Sequence, residues 1–104
     1  MGERRHREEF FLVQFRSCPP SVDDAVEMHH ALHRAVTRLG SAGTAIRWCA
    51  AWLLPDDCRC LCLVQAEREA DVVLARDLAA LPTASVSAAR ALGGPPLPRT
   101  GSRS

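Results

Sequence analysis

The chain has no lysine and no tyrosine, and its 104 residues include only two tryptophans and three phenylalanines. All thirteen basic side chains are therefore arginines, and together with twelve acids they leave a formal net charge of +1. The two signs are interleaved along the chain, whereas a nucleic-acid-binding protein concentrates basic residues on one face or in one tail. The charge balance thus gives no indication of nucleic-acid binding. The scarcity of aromatic residues predicts a core built mainly of aliphatic side chains.

Long apolar runs are also missing. No run reaches the roughly 18 residues that a membrane-spanning helix needs, and the first eight residues lack the apolar segment of a secretory signal. We therefore expect a cytoplasmic protein that does not contact membranes. The five cysteines are odd in number, and three of them, Cys58, Cys60 and Cys62, alternate along one segment where neighbours are poorly placed to bridge each other. We expect all five to be reduced thiols.

The pattern of apolar residues predicts six elements. Ser21 is typical of a helix N-cap, Asp56 and Asp57 of a hairpin turn, and Pro82 of a helix stop. The predicted elements, in chain order, are a strand at Glu9–Arg16, a helix at 22–39, strands at 45–54 and 58–66, a helix at 68–81 and a strand at 84–91. We expect one domain over residues 9–92, preceded by a flexible stretch at 1–8 and followed by a disordered Pro/Gly/Ser tail at 93–104.

The order βαββαβ predicts an α+β fold of the ferredoxin-like type, an antiparallel sheet with both helices on one face. The other face of the sheet is then left open. Because the strands carry apolar residues on both faces, we expect two copies to pair through their open faces, as a homodimer of the α/β-barrel type.

Two histidines in the first helix are candidates for chemistry. His29 and His33 stand one helical turn apart inside the predicted apolar stripe, so both imidazoles can meet one metal ion or one substrate. The alternative is that they bind nothing, and either have backbone carbonyls as hydrogen-bond partners or sit at the edge of the stripe. His30 is expected on the flank of the stripe, in contact with solvent.

The cysteine row is the second candidate. Thiols of alternate residues share one face of a strand about 6.6 Å apart by strand rise, so Cys60 and Cys62 could hold a metal only together with donors from elsewhere. They could equally be small buried hydrophobic residues. A two-residue turn at Asp56-Asp57 would place Cys49 on the face of these cysteines, and Trp48 and Trp52 together on the opposite face. This register decides which residues of the hairpin the histidines can meet.

Several site types have no support in the sequence. There is no Gly-rich phosphate loop, no Gly-x-Ser-x-Gly nucleophile elbow and no pair of acids inside an element, so nucleotide and hydrolase chemistry are not indicated. Three polar residues on or beside the strands, Gln14, Arg16 and Arg47, could orient a ligand in a pocket roofed by Trp48 or Trp52. The alternative for the arginines is that they are only solvated. No organic cofactor is indicated.

The hairpin segment carries a family resemblance. It begins Ala45-Ile-Arg-Trp, continues through Leu54-Pro-Asp-Asp-Cys-Arg-Cys-Leu-Cys-Leu-Val-Gln-Ala66, and precedes a helix and Ala80-Leu-Pro82. This pattern resembles the small actinobacterial nickel-binding-protein-like family, mostly of unknown function. The resemblance implies a ferredoxin-like fold, a dimer and, from at least one member, nickel binding. Where that family often has an acid this chain has Gln14, and Thr83-Ala84-Ser85 replaces its frequent aromatic-Asp-Arg run, departures that fit a member repurposed for an organic ligand.

Three functions follow from these residues. In the first, His29, His33, Cys60 and Cys62 supply donors for nickel or another divalent transition metal. In the second, the protein is a cofactor-free cyclase, isomerase or oxygenase of natural-product or antibiotic biosynthesis, with both histidines as acid/base groups and Gln14, Trp48 and Trp52 holding an apolar substrate. In the third, it is a binding or structural dimer without catalysis.

Overall fold

The computed structural model describes residues 9–92, so the predictions for 1–8 and 93–104 lie outside the described residues. Its elements are β1 (Glu9–Arg16), α1 (Val22–Ser41), β2 (Ile46–Leu54), β3 (Arg59–Ala66), α2 (Glu69–Leu78) and β4 (Ser85–Ala89). Each of the six elements lies within three residues of its predicted bounds. Within the described range, neither helix is long and apolar enough to cross a membrane.

The four strands form one antiparallel sheet in the order β2-β3-β1-β4. This order, with a helix after β1 and another after β3, is the ferredoxin-like arrangement, and the predicted α+β fold is confirmed. Both helices pack on the same face of the sheet, because one buried cluster contains side chains from both of them and from β1 and β3. The opposite face carries no element among residues 9–92. We refer to it as the open face.

Strand alternation explains the core. In β1, Phe11, Val13 and Phe15 point to the helices and are buried, whereas the residues between them are partly exposed. On α1, residues at helical spacing face the sheet, and Leu32 at their centre has no exposed surface. The buried cluster is mostly aliphatic, as the composition predicts.

The ends of the two helices follow local chemistry. α1 begins where the Ser21 hydroxyl accepts the backbone N–H of Asp24 at 3.2 Å, as its capping pattern predicts. α2 is shorter than predicted. Its chain reverses at Ala80, which has a φ of 61°, and the N–H groups of Ala80 and Leu81 return to the carbonyls of Asp77 and Arg76. Leu81 lies beyond the end of α2, and the Schellman turn buries its side chain. The apolar periodicity of the sequence therefore continues to residue 81 although the helix has already ended.

The hairpin holds the main departure from prediction. Near the turn the predicted register is found, with Leu54 opposite Arg59. A β-bulge at Cys49 then inserts one extra residue, so Trp48 pairs with Val64 instead of Gln65. The prediction that Trp48 and Trp52 share a face is therefore wrong. Trp48 lies on the helix side of the sheet, and Trp52, opposite Leu61, is on the open face.

Candidate functional site

The candidate site lies where α1 crosses the edge strand β2. The ring centroids of His29 and His33 are 5.5 and 4.9 Å from that of Trp48, and both imidazoles meet the indole edge-on. Helical spacing sets the two histidines on one side of α1, and the bulge at Cys49 turns the indole towards them. The three rings form one cluster, which we call the His–Trp cluster.

The histidines are less buried than predicted. His29 is half-buried and His33 is exposed, whereas Leu32 and Val36 between and after them are sealed in the core. The reason is the position of β2 at the edge of the sheet, because a helix face that overhangs an edge strand remains open to solvent on one side. The expectation that both histidines lie inside the apolar stripe is therefore wrong. They lie on its rim, where a ligand can reach them.

Burial lowers the pKa of His29 below its ordinary value of 6.5, and charge on His30, whose ring centroid is 4.8 Å away, lowers it further. A backbone hydrogen bond with Val26 opposes this shift, and charge on His33 adds a smaller lowering. His29 is therefore neutral at physiological pH, with a nitrogen lone pair available to a metal ion or a proton.

Two cavities adjoin the His–Trp cluster. A small one of about 180 Å³ has a mostly apolar lining that includes His29 and Cys60. The other residues of this lining are Val26, Ala51, Trp52 and Leu53. A larger groove of about 380 Å³ lies between α1 and the start of β2, and His33, Trp48 and Cys49 all contribute to it. The histidines thus stand beside an apolar cavity on one side and an open groove on the other.

None of the five cysteines is in a disulfide, which agrees with the prediction of reduced thiols. The Cys60 thiol donates to the Ala25 carbonyl oxygen at 3.4 Å, and burial raises its pKa. Cys62 has no exposed surface, and burial together with charge on Cys60 raises the pKa of its thiol to about 12. Within residues 9–92, no three His, Cys, Asp or Glu side chains are grouped so as to hold a metal ion. The four predicted ligands are therefore not assembled into one site within a single chain.

Gln14 lies apart from the histidines. It alternates with the buried Val13 and Phe15 and pairs with Leu61 and Ser85, which puts it on the open face. The sheet consequently separates Gln14 from the His–Trp cluster, and one chain does not bring them into one pocket. Trp52 belongs to the open face by register and is half-exposed, although it also touches the small apolar cavity at the sheet edge.

Some lining residues are absent from the sequence predictions. Val26 precedes His29 by three residues, so helical spacing alone identifies it. Ala51 and Leu53 alternate on the helix side of β2, opposite Cys62 and Cys60, and could be identified only once the register was known. No protein-family model, curated protein or solved structure matches the chain.

Proposed function

We propose that the protein binds a divalent transition metal, nickel or zinc, through the imidazoles of His29 and His33. The observation that carries the proposal is the meeting of both rings on one indole, at 5.5 and 4.9 Å. Imidazole nitrogen is a donor suited to both metals, and donors at i and i+4 of a helix reach one ion. The lowered pKa of His29 favours the proposal, because a metal binds the neutral ring.

The donor set limits what the site can be. Two imidazoles leave the remaining coordination positions to water, to a ligand or to a second chain. Cys60 shares a cavity with His29, but its thiol is protonated and already donates to Ala25. Cys62 is sealed in the core and takes no part in the proposal. A bound metal would act as a Lewis acid at the mouth of the open groove.

Trp48 provides the readout for a direct test. Trp52→Phe leaves Trp48 as the sole tryptophan of the chain, and nickel bound beside it is expected to quench its fluorescence saturably. In the same background, His29→Ala with His33→Ala is expected to weaken nickel binding at least about tenfold, which is about 1.4 kcal/mol. His30→Ala is the matched control, since it removes an imidazole from the same helix and leaves the pair intact. Equal nickel stoichiometry in the double variant and in the parent, by metal analysis after dialysis, would contradict the proposal.

A second candidate function is a cofactor-free enzyme of specialised metabolism. The observation that favours it is the small apolar cavity in which His29 and Cys60 are the titratable lining residues. A neutral imidazole there could accept a proton from a bound apolar substrate. Full turnover by a metal-stripped preparation, lost on His29→Ala, would separate this function from metal binding.

We also propose that two copies pair through their open faces. Apolar side chains of the open face support this: Phe10, Leu12 and Leu61 are partly exposed, and Trp52 and Leu54 are 50% and 44% exposed. In sedimentation velocity we expect a dimer for the parent chain and a monomer for Leu61→Arg. Leu74→Arg is the control, because Leu74 is equally apolar and 45% exposed but lies on α2, away from this face. A monomeric parent chain would refute pairing through the open faces, and so would a dimer that Leu61→Arg leaves intact.

A further inference from the structure

A polar cavity lies on the opposite side of the sheet from the His–Trp cluster. It has a volume of about 380 Å³ and is found where β1 ends and β3 and β4 begin. Its lining comprises Gln14, Phe15, Arg16, Arg59, Thr83 and Ser85. The lining thus offers two guanidinium groups, one amide and two hydroxyls, and no acid.

Sheet register brings the two arginines together. Arg16 and Arg59 are direct cross-strand partners, and like charges in that relation repel each other. The Asp57 carboxylate offsets the repulsion, accepting from Arg16 Nη2 at 3.1 Å and from Arg59 Nε at 2.7 Å. The hydrogen bond from Arg59 lowers the pKa of Asp57, and the charges of both arginines add to the effect.

The charges do not cancel. Among residues 9–92, the ion pairs of these two guanidinium groups are with one carboxylate, that of Asp57, which leaves one positive charge, and Asp57 does not line the cavity. Asp57 also demonstrates that the two guanidinium groups can hold one carboxylate between them. Guanidinium forks match carboxylates in geometry, and hydrogen bonds of this kind are about twice as strong as neutral ones.

We infer that this cavity binds a small organic acid. The carboxylate of the acid accepts hydrogen bonds from Arg16 and Arg59. The other polar groups of the acid contact the Gln14 amide and the hydroxyls of Thr83 and Ser85. One uncompensated positive charge suits a monoanion better than a phosphate monoester, which carries about −1.5 to −2 at pH 7. The volume, at the lower end of the range for small-molecule sites, exceeds what a bare inorganic ion needs. This site is independent of the proposed metal site, since the sheet lies between them.

The side-chain amides give a clean probe. The chain has two glutamines, Gln14 and Gln65, and no asparagine, so a ¹⁵N correlation spectrum contains two side-chain amide pairs. Gln65 is the internal control, because it lies on β3 away from the cavity and its Oε1 accepts from Arg47 at 2.6 Å. Gluconate, a monocarboxylate with a hydroxylated body, is expected to shift the Gln14 pair saturably and the Gln65 pair little. Sorbitol, which lacks the carboxylate, is expected to shift neither.

Arginine variants complete the experiment at constant ionic strength. Arg16→Met and Arg59→Met are each expected to raise the dissociation constant for gluconate at least tenfold, and Arg47→Met to leave it unchanged. Thr83→Val, which alters no charge, tests the hydroxyl contact if an arginine variant fails to fold, and is expected to weaken binding severalfold. The inference is overturned if the Gln14 shift does not saturate with gluconate, or if both glutamines shift equally. It is also overturned if a folded arginine variant or Thr83→Val binds gluconate with parental affinity, or if inorganic phosphate binds more tightly than gluconate.

Discussion

Leu32→Ala is expected to lower the free energy of unfolding by about 3 kcal/mol, because it empties a fully buried position at the centre of α1. Leu32 has no exposed surface and belongs to the cluster that joins both helices to the sheet. The total stability of a domain of this size is about 5–15 kcal/mol, so the loss is a large share of it. Urea unfolding followed by circular dichroism measures the change.

Leu74→Ala is the control for this substitution. The same side-chain atoms are removed from a residue that is 45% exposed on α2, and a loss of about 0.5 kcal/mol is expected. Similar losses for the two variants would mean that α1 does not seal the sheet as described. The folded Leu32→Ala protein should still bind nickel, because neither imidazole depends on Leu32 for its place on the rim.

Cys62 is expected to resist alkylation in the native protein by at least about a hundredfold relative to the exposed Cys18. The thiolate is the reactive form, and raising the pKa of Cys62 from 9.0 to about 12 lowers its thiolate fraction about a thousandfold at pH 8. Iodoacetamide labelling at pH 8 with peptide mass analysis measures the rates. Labelling of Cys62 should follow global unfolding in urea, and rapid native labelling would refute its assigned burial.

The same burial predicts alkaline sensitivity. A raised pKa in the folded state means that the buried neutral thiol contributes stability fully below about pH 9, and that this contribution is lost as the pH rises through about 12. In Cys62→Ala, the free energy of unfolding should therefore fall less steeply above about pH 9 than in the parent chain. This holds whatever the substitution does to the free energy of unfolding at neutral pH. Leu32→Ala, which removes no titratable group, should lower stability at every pH and leave the slope above about pH 9 unchanged.

Periodic segments could be predicted from the sequence, and single-residue irregularities could not. Glu9–Arg16 is a short Phe-rich run closed by Ser17-Cys18-Pro19-Pro20, and α1 has both a cap and a stripe, so local chemistry identifies them. The bulge at Cys49 has no such signal, since neither glycine nor proline marks it, and it reverses the side on which Trp48 lies. The Schellman turn at Ala80 is also hidden, because the residue that adopts positive φ is not the usual glycine.

The His–Trp cluster could be predicted only in part, because one of its contacts depends on regular helix geometry and the others on the irregular bulge. The spacing of His29 and His33 requires only the geometry of a helix, and their closeness to one another follows from it. Their meeting with Trp48 depends on the bulge. The separation of Gln14 from them depends on which face of β1 the helices cover, and the pairing of Arg16 with Arg59 depends on a strand order that brings together residues far apart in sequence.

The bulge also bears on how copies of the chain can assemble. β2 is one of the two outer strands, so its free edge offers N–H and C=O groups to which a strand of another molecule could add. The extra residue at Cys49 interrupts the regular repeat of those groups, and the other outer strand, β4, has only five residues. Neither edge is a long, even template for aggregation. The bulge that places Trp48 beside His29 and His33 therefore also disfavours the repeated addition of strands from other molecules at this edge.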